Sequence, residues 1–151
     1  MGQIQTGVEY VIMNKNSGLT WAVQNDDRDP GTSVVQFQTN PGSNQRWVFE
    51  KVKDGYKIRT STKFNGFYAA IDKDRGSGDN NAGVNVYPAA QMVGRDVWVL
   101  SSDITGEWIN ITNASTGKYC DVLGDSTGNN AYIVQYDKNN QSDQLWVILP
   151  G

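Results

Sequence analysis

Between Gly117 and Leu149 the chain gathers the residue types that could do chemistry. Asp121 sits in an alternating run, Gly117-Lys-Tyr-Cys120-Asp121-Val122, and Tyr136 marks a second apolar run. Asp143 and Gln144 then lead into Trp146 as a Gln-x-Trp ending. Histidine is absent from all 151 residues. That removes Ser-His-Asp and Cys-His nucleophilic catalysis, His-ligated zinc and the usual acid/base group near neutral pH. The lone cysteine, Cys120, is inward by alternation and has no base nearby to activate it, so it reads as a buried thiol. Sixteen acids are present, but no pair is marked out by position for glycoside hydrolysis. No catalytic constellation is marked out by these residues, and the chain is expected not to be an enzyme.

The elements that must position these residues occur three times. An opening strand carries Tyr10-x-Ile12, Tyr56-x-Ile58 and Ile109-x-Ile111. A glycine then leads an alternating run: Gly18 to Val23, Gly66 to Ile71, and Gly117 to Val122. An aromatic run, a polar loop and a tryptophan close each copy: Phe37 to Trp47, Tyr87 to Trp98, Tyr136 to Trp146. Ile12 to Trp47 and Ile111 to Trp146 are both 35 residues apart, against 40 for Ile58 to Trp98. The middle copy therefore carries an insertion, placed around Asp74–Asn81 by its Gly and Asn content. Period-two alternation with turn residues between runs predicts four short strands per copy, and no window has a helical stripe. The copies span about 8–53, 54–105 and 106–150, a single domain of about twelve strands. Val97-Trp98-Val99-Leu100 and Trp146-Val147-Ile148-Leu149 are apolar throughout and are expected to be buried on both faces. Trp21, Trp47, Trp98 and Trp146 are assigned to the core, and Trp108 falls outside the register.

Composition excludes several partners. The net charge is −3, with no basic patch, which argues against nucleic acid. No apolar run is long enough to insert into a membrane. The first ten residues lack a basic start and an apolar stretch, so a cytoplasmic location is expected. A single cysteine cannot form an internal disulfide, in keeping with that location. Sequons at Asn110, Asn113 and Asn140 are read as chance matches in an Asn-rich chain.

The repeated frame resembles the ricin-B-type (R-type) β-trefoil lectins and is similar in style to their cytoplasmic fungal members. Asn44-Gln45-Arg46-Trp47 and Gln144-Leu145-Trp146 carry the Gln-x-Trp motif, while the middle copy has Arg95-Asp96-Val97-Trp98 instead. The resemblance covers about Val8 to Pro150. It implies an all-β fold, one β-trefoil with pseudo-threefold symmetry, and a shallow sugar pocket on each repeat. In such a pocket a carboxylate accepts from sugar hydroxyls, a ring covers the sugar's C–H face and an amide closes the set. Carried onto this chain, the sugar-binding residues are Asp121, Tyr136, Asp143 and Gln144. Asp143 departs from the usual Asn: it still accepts but cannot donate, and two neighbouring acids repel. A weaker candidate site has Phe37, Asn44 and Gln45, with Ala22 in the acid's place. Asp26, Asp27 and Asp29 are either substitutes from the loop or a solvated acidic turn. Gln45 and Gln144 either brace loops or touch sugar. Repeat two, with Ala70, Tyr87, Arg95 and Asp96, has lost both acid and amide.

The resemblance implies galactose or N-acetylgalactosamine termini as ligands, with a role in defence, and a homodimer would raise avidity. The rival reading is a β-trefoil protease inhibitor acting through the loops at Asp26–Ser33 and Asp74–Asn81. No cofactor is expected. The segment Asp72–Asp79 partly follows a calcium-loop pattern but has Gly83 where the acidic twelfth ligand belongs, so no metal site is expected either.

Overall fold

The computed structural model of the chain describes residues 2–71, 78–89 and 95–151. The insertion expected around Asp74–Asn81 and the partial calcium-loop match at Asp72–Asp79 lie largely outside those residues, which resume at Gly78. The described regular structure is strand and short 3-10 turns. The strands are β1 (Glu9–Asn14), β2 (Thr20–Val23), β3 (Thr32–Phe37), β4 (Trp47–Val52), β5 (Gly55–Thr60), β6 (Tyr68–Ile71) and β7 (Val84–Tyr87). They continue with β8 (Val97–Leu100), β9 (Trp108–Ile109), β10 (Ile111–Asn113), β11 (Tyr119–Val122), β12 (Ile133–Tyr136) and β13 (Trp146–Pro150). Asn110 interrupts one strand between β9 and β10, so the four-per-repeat reading holds with that strand in two pieces.

Pairing divides the strands into a barrel and three hairpins. β1 pairs β4, β4 pairs β5, β5 pairs β8, β8 pairs β10, and β9 pairs β13, which returns to β1. The ring is closed, so these strands have no free edge to protect. The hairpins β2–β3, β6–β7 and β11–β12 cap one end. This is a β-trefoil.

The hairpins are tied to one another in a cycle. Gln36 of β3 donates to the carbonyls of Ser126 and Gly128 in repeat three. Gln135 of β12 donates to the carbonyl of Asp79 in repeat two. Asn85 of β7 donates to the carbonyl of Gly31 in repeat one. Loop carbonyls thereby satisfy amides that are buried with their strands.

The core follows the alternation. Trp47, Trp98 and Trp146 are fully buried, and each indole N–H donates to a carbonyl of its own repeat's Gly-led strand: Trp21, Ala69 and Cys120. The ring of Trp21 meets all three edge-on, with centroids 5.4, 6.3 and 6.1 Å away. One expectation is corrected. Burial on both faces holds for Trp146, Val147 and Ile148 in β13 but not for β8, where Val99 is 40% exposed. That strand lies on the barrel wall, where Val99 pairs Thr112 with its side chain exposed. Trp108 is exposed, with the Lys15 ammonium over its ring. The Asn113 sequon is fully buried, its side chain donating to the Arg95 carbonyl, so the folded chain cannot present it for glycosylation.

Candidate functional site

Asp121 sits on β11 between two core residues, Cys120 and Val122, so its side chain leaves the core. Alternation predicts an outward acid, but Asp121 is only 3% exposed. It lies at the floor of a cavity of about 330 Å3 that also takes in Asp125, Tyr136 and Asn139. Two donors fix the carboxylate: the Val122 N–H reaches Oδ1 at 2.7 Å and Gln144 Nε2 reaches Oδ2 at 2.9 Å. Each oxygen keeps a further lone pair.

Tyr136 ends β12 directly across from Tyr119 and is 37% exposed on the cavity rim. Gln144 is buried and does not face the cavity. Its Nε2 also donates to the Asp137 carbonyl at 2.8 Å, and its Oε1 accepts from the Asn139 N–H at 3.1 Å. Of the two roles left open by the sequence, the structure gives it the brace. It aims Asp121 and pins the Asp137–Asn139 loop in one network.

Asp143 belongs to the 3-10 turn Ser142–Gln144, whose Asp143 carbonyl is held by Asn14 Nδ2 of β1 at 2.9 Å. Its side chain is 2% exposed, and neither carboxylate oxygen has a hydrogen-bond partner among the described residues. The corresponding Asn44 of repeat one shows what the amide would do: its Nδ2 donates to the Val23 carbonyl at 3.1 Å. A carboxylate at that place has no proton to give. It instead meets Asp121 and Asp125, and one ligand oxygen from each of the three lies within 4.8 Å of the others. Burial, reinforced by the Asp121 charge, pushes the Asp143 carboxyl up to about 6. Asp125 is raised as well, first by its contact with Asp143.

Asp125, which also lines the cavity, is not singled out by the sequence reading. It follows Gly124, and both take left-handed backbone, φ 66° and 55°, which turns the exposed acid back toward the strand. A signal existed in the sequence. Asp125 stands four residues after Asp121, as Asp26 stands four after Ala22, and Asn25-Asp26 adopts the same double left-handed turn.

The weaker candidate residues also come together. Phe37, Asn44, Gln45, Ala22 and Asp26 line a cavity of about 210 Å3 at the corresponding place in repeat one. Gln45 is the same brace, donating to the Gln38 carbonyl and accepting from the Asn40 N–H and the Thr20 hydroxyl. Of the three loop acids, Asp26 reaches the cavity, while Asp27 accepts from the Asp29 N–H within the loop. In repeat two, Ala70 and Tyr87 are buried and Asp96 is ion-paired to Lys57 at 3.2 Å.

A family model described as ricin-type β-trefoil lectin domain-like matches residues 2–87 and 95–151. The chain belongs to that family. Its fold is shared with ThreeFoil, a designed threefold-symmetric protein, at 24% identity and TM-score 0.84, over 95% of this chain and 99% of that one. An exo-beta-1,3-galactanase from Clostridium thermocellum matches at 24% identity and TM-score 0.86, over 98% of this chain. There the lectin-like chain spans 31% of the other protein's length. The Macrolepiota procera ricin B-like lectin, solved with lactose, matches at 18% identity and TM-score 0.81, over 99% of both chains. Among curated protein sequences, none matches.

Proposed function

We propose that this ricin-type domain is a carbohydrate-binding lectin whose principal site is the third-repeat cavity, with glycans ending in galactose or N-acetylgalactosamine as ligands. One observation carries the reading: Asp121 is oriented by two donors at the floor of a cavity whose rim holds the exposed ring of Tyr136. An anchored carboxylate with a spare lone pair on each oxygen accepts from two adjacent hydroxyls, as vicinal sugar hydroxyls require. The flat ring covers the apolar C–H face without asking for a hydrogen bond. Few polar groups on rigid strands then set the ligand's orientation. The lactose bound by the Macrolepiota lectin favours a galactose terminus. Repeat one is the secondary site, with Phe37 and Asn44 present and Asp26 on the rim in place of a strand acid. A homodimer is proposed as the source of avidity for such shallow sites.

A glycan array with the wild type, Tyr136→Ala and Asp121→Asn tests the reading. Wild type should bind galactose-terminated glycans, and both variants should lose most of that signal. A wild type that binds no glycan refutes the lectin function. Variants that bind as well as wild type move the site elsewhere.

A further inference from the structure

The three acids of repeat three need an explanation that a sugar alone does not give. Asp121 and Asp125 line the cavity, and Asp143 is buried against them. An unpartnered carboxylate that is 2% exposed is costly, and placing two more carboxylates against it raises the cost. Two remedies exist, a proton on Asp143 or a cation shared by all three. The geometry accommodates the second. Oxygens that bind one calcium ion at about 2.4 Å can lie no more than about 4.8 Å apart, and one oxygen from each acid meets that limit mutually.

The hydrogen bonds of the site leave room for this. Asp121 takes one donor on each oxygen, and Asp143 takes none. Asp125 is carried on an exposed turn from which it can approach an ion arriving from solvent. We propose that Asp121, Asp125 and Asp143 form a binding site for a hard divalent cation of the calcium class, at the floor of the third-repeat cavity. All the donors are oxygen, as hard cations require, and the half-open setting with a flexible ligand number suits calcium better than magnesium, which demands a near-ideal octahedron. Three carboxylates do not fill calcium's six to eight positions, so the remainder open onto the cavity and take water or a ligand's hydroxyls. Where the sugar-site reading above holds, Asp121 is shared between ion and glycan, and glycan binding depends on the cation.

The test uses the full chain, stripped of metal with chelator and titrated with calcium chloride by calorimetry. Wild type should take up one calcium per chain. Asp143→Asn and Asp125→Asn should each lose it, with circular dichroism unchanged; Asp125 is exposed, so that variant guards against a folding artefact. A wild type with no calcium uptake overturns the site, and uptake retained by both variants overturns its assignment to these acids. Glycan binding is then measured with calcium and with chelator. Loss in chelator supports the shared role of Asp121, whereas equal binding in both overturns that role and leaves the ion site in place. Calcium uptake with no glycan binding under either condition removes the lectin function but not the cation site.

Discussion

At the scale of single residues, the difference between Asn44 and Asp143 decides the character of the two cavities. The two side chains are nearly the same size and occupy corresponding turns, yet one donates to a strand carbonyl and the other has no partner. In metal-free protein Asp143 is therefore a cost to folding, because a buried unmade hydrogen bond loses its hydration with nothing in return. Asp143→Asn should restore the donor and relieve the contact with Asp121 and Asp125. The expected gain is about 1–3 kcal/mol, read as a higher urea midpoint with unchanged slope in the presence of chelator. A lower midpoint would mean that the turn tolerates the acid better than its surroundings indicate. How far each residue was legible follows the same logic. Asp121 and Tyr136 stood out because strand alternation and repeat register fix where they point. Asp125 did not, because its direction depends on a left-handed turn whose backbone angles the residue types alone do not specify.

At the scale of elements, the Gln-x-Trp ending serves two structural purposes. The tryptophan anchors the core and the glutamine ties the preceding loop to the Gly-led strand. Gln45 and Gln144 make matching sets of bonds, to Gln38 and Asn40 in one case and to Asp137 and Asn139 in the other. They differ in the partner on the Gly-led strand: Gln45 meets the Thr20 hydroxyl, whereas Gln144 meets the Asp121 carboxylate. Gln45→Ala and Gln144→Ala should accordingly cost similar stability, about 2–3 kcal/mol each, since both strand buried loop groups. Only Gln144→Ala should also weaken glycan binding at the third-repeat site, because only there does the brace aim the acid. Equal binding losses from the two variants would contradict that division. The braces also show why strand existence was legible while strand burial was less so. Period-two patterning marks an element, but whether both faces are covered depends on its neighbours, which is why Val97–Leu100 lies on the barrel wall with Val99 open.

At the scale of the whole molecule, the threefold plan is broken where the repeats meet. The corresponding positions on β2, β6 and β11 hold Trp21, Ala69 and Cys120, one large residue and two small ones, all fully buried. The single Trp21 ring packs against the tryptophan of every repeat, and the two small residues at the matching positions leave it room. Trp21→Ala should cost about 3–5 kcal/mol, a large share of the roughly 5–15 kcal/mol that holds a domain of this kind folded. Cys120 offers a direct readout of that loss. Burial, and secondarily the Asp121 charge, push its thiol well above the ordinary range, so the reactive thiolate forms only when the core opens. A thiol reagent at pH 8 should leave native wild type unmodified over hours and label Trp21→Ala far faster, at rates that track each protein's unfolding equilibrium. Rapid labelling of the wild type without loss of the folded circular dichroism signal would show that the three repeats open separately, and that the central tryptophan does not unite them.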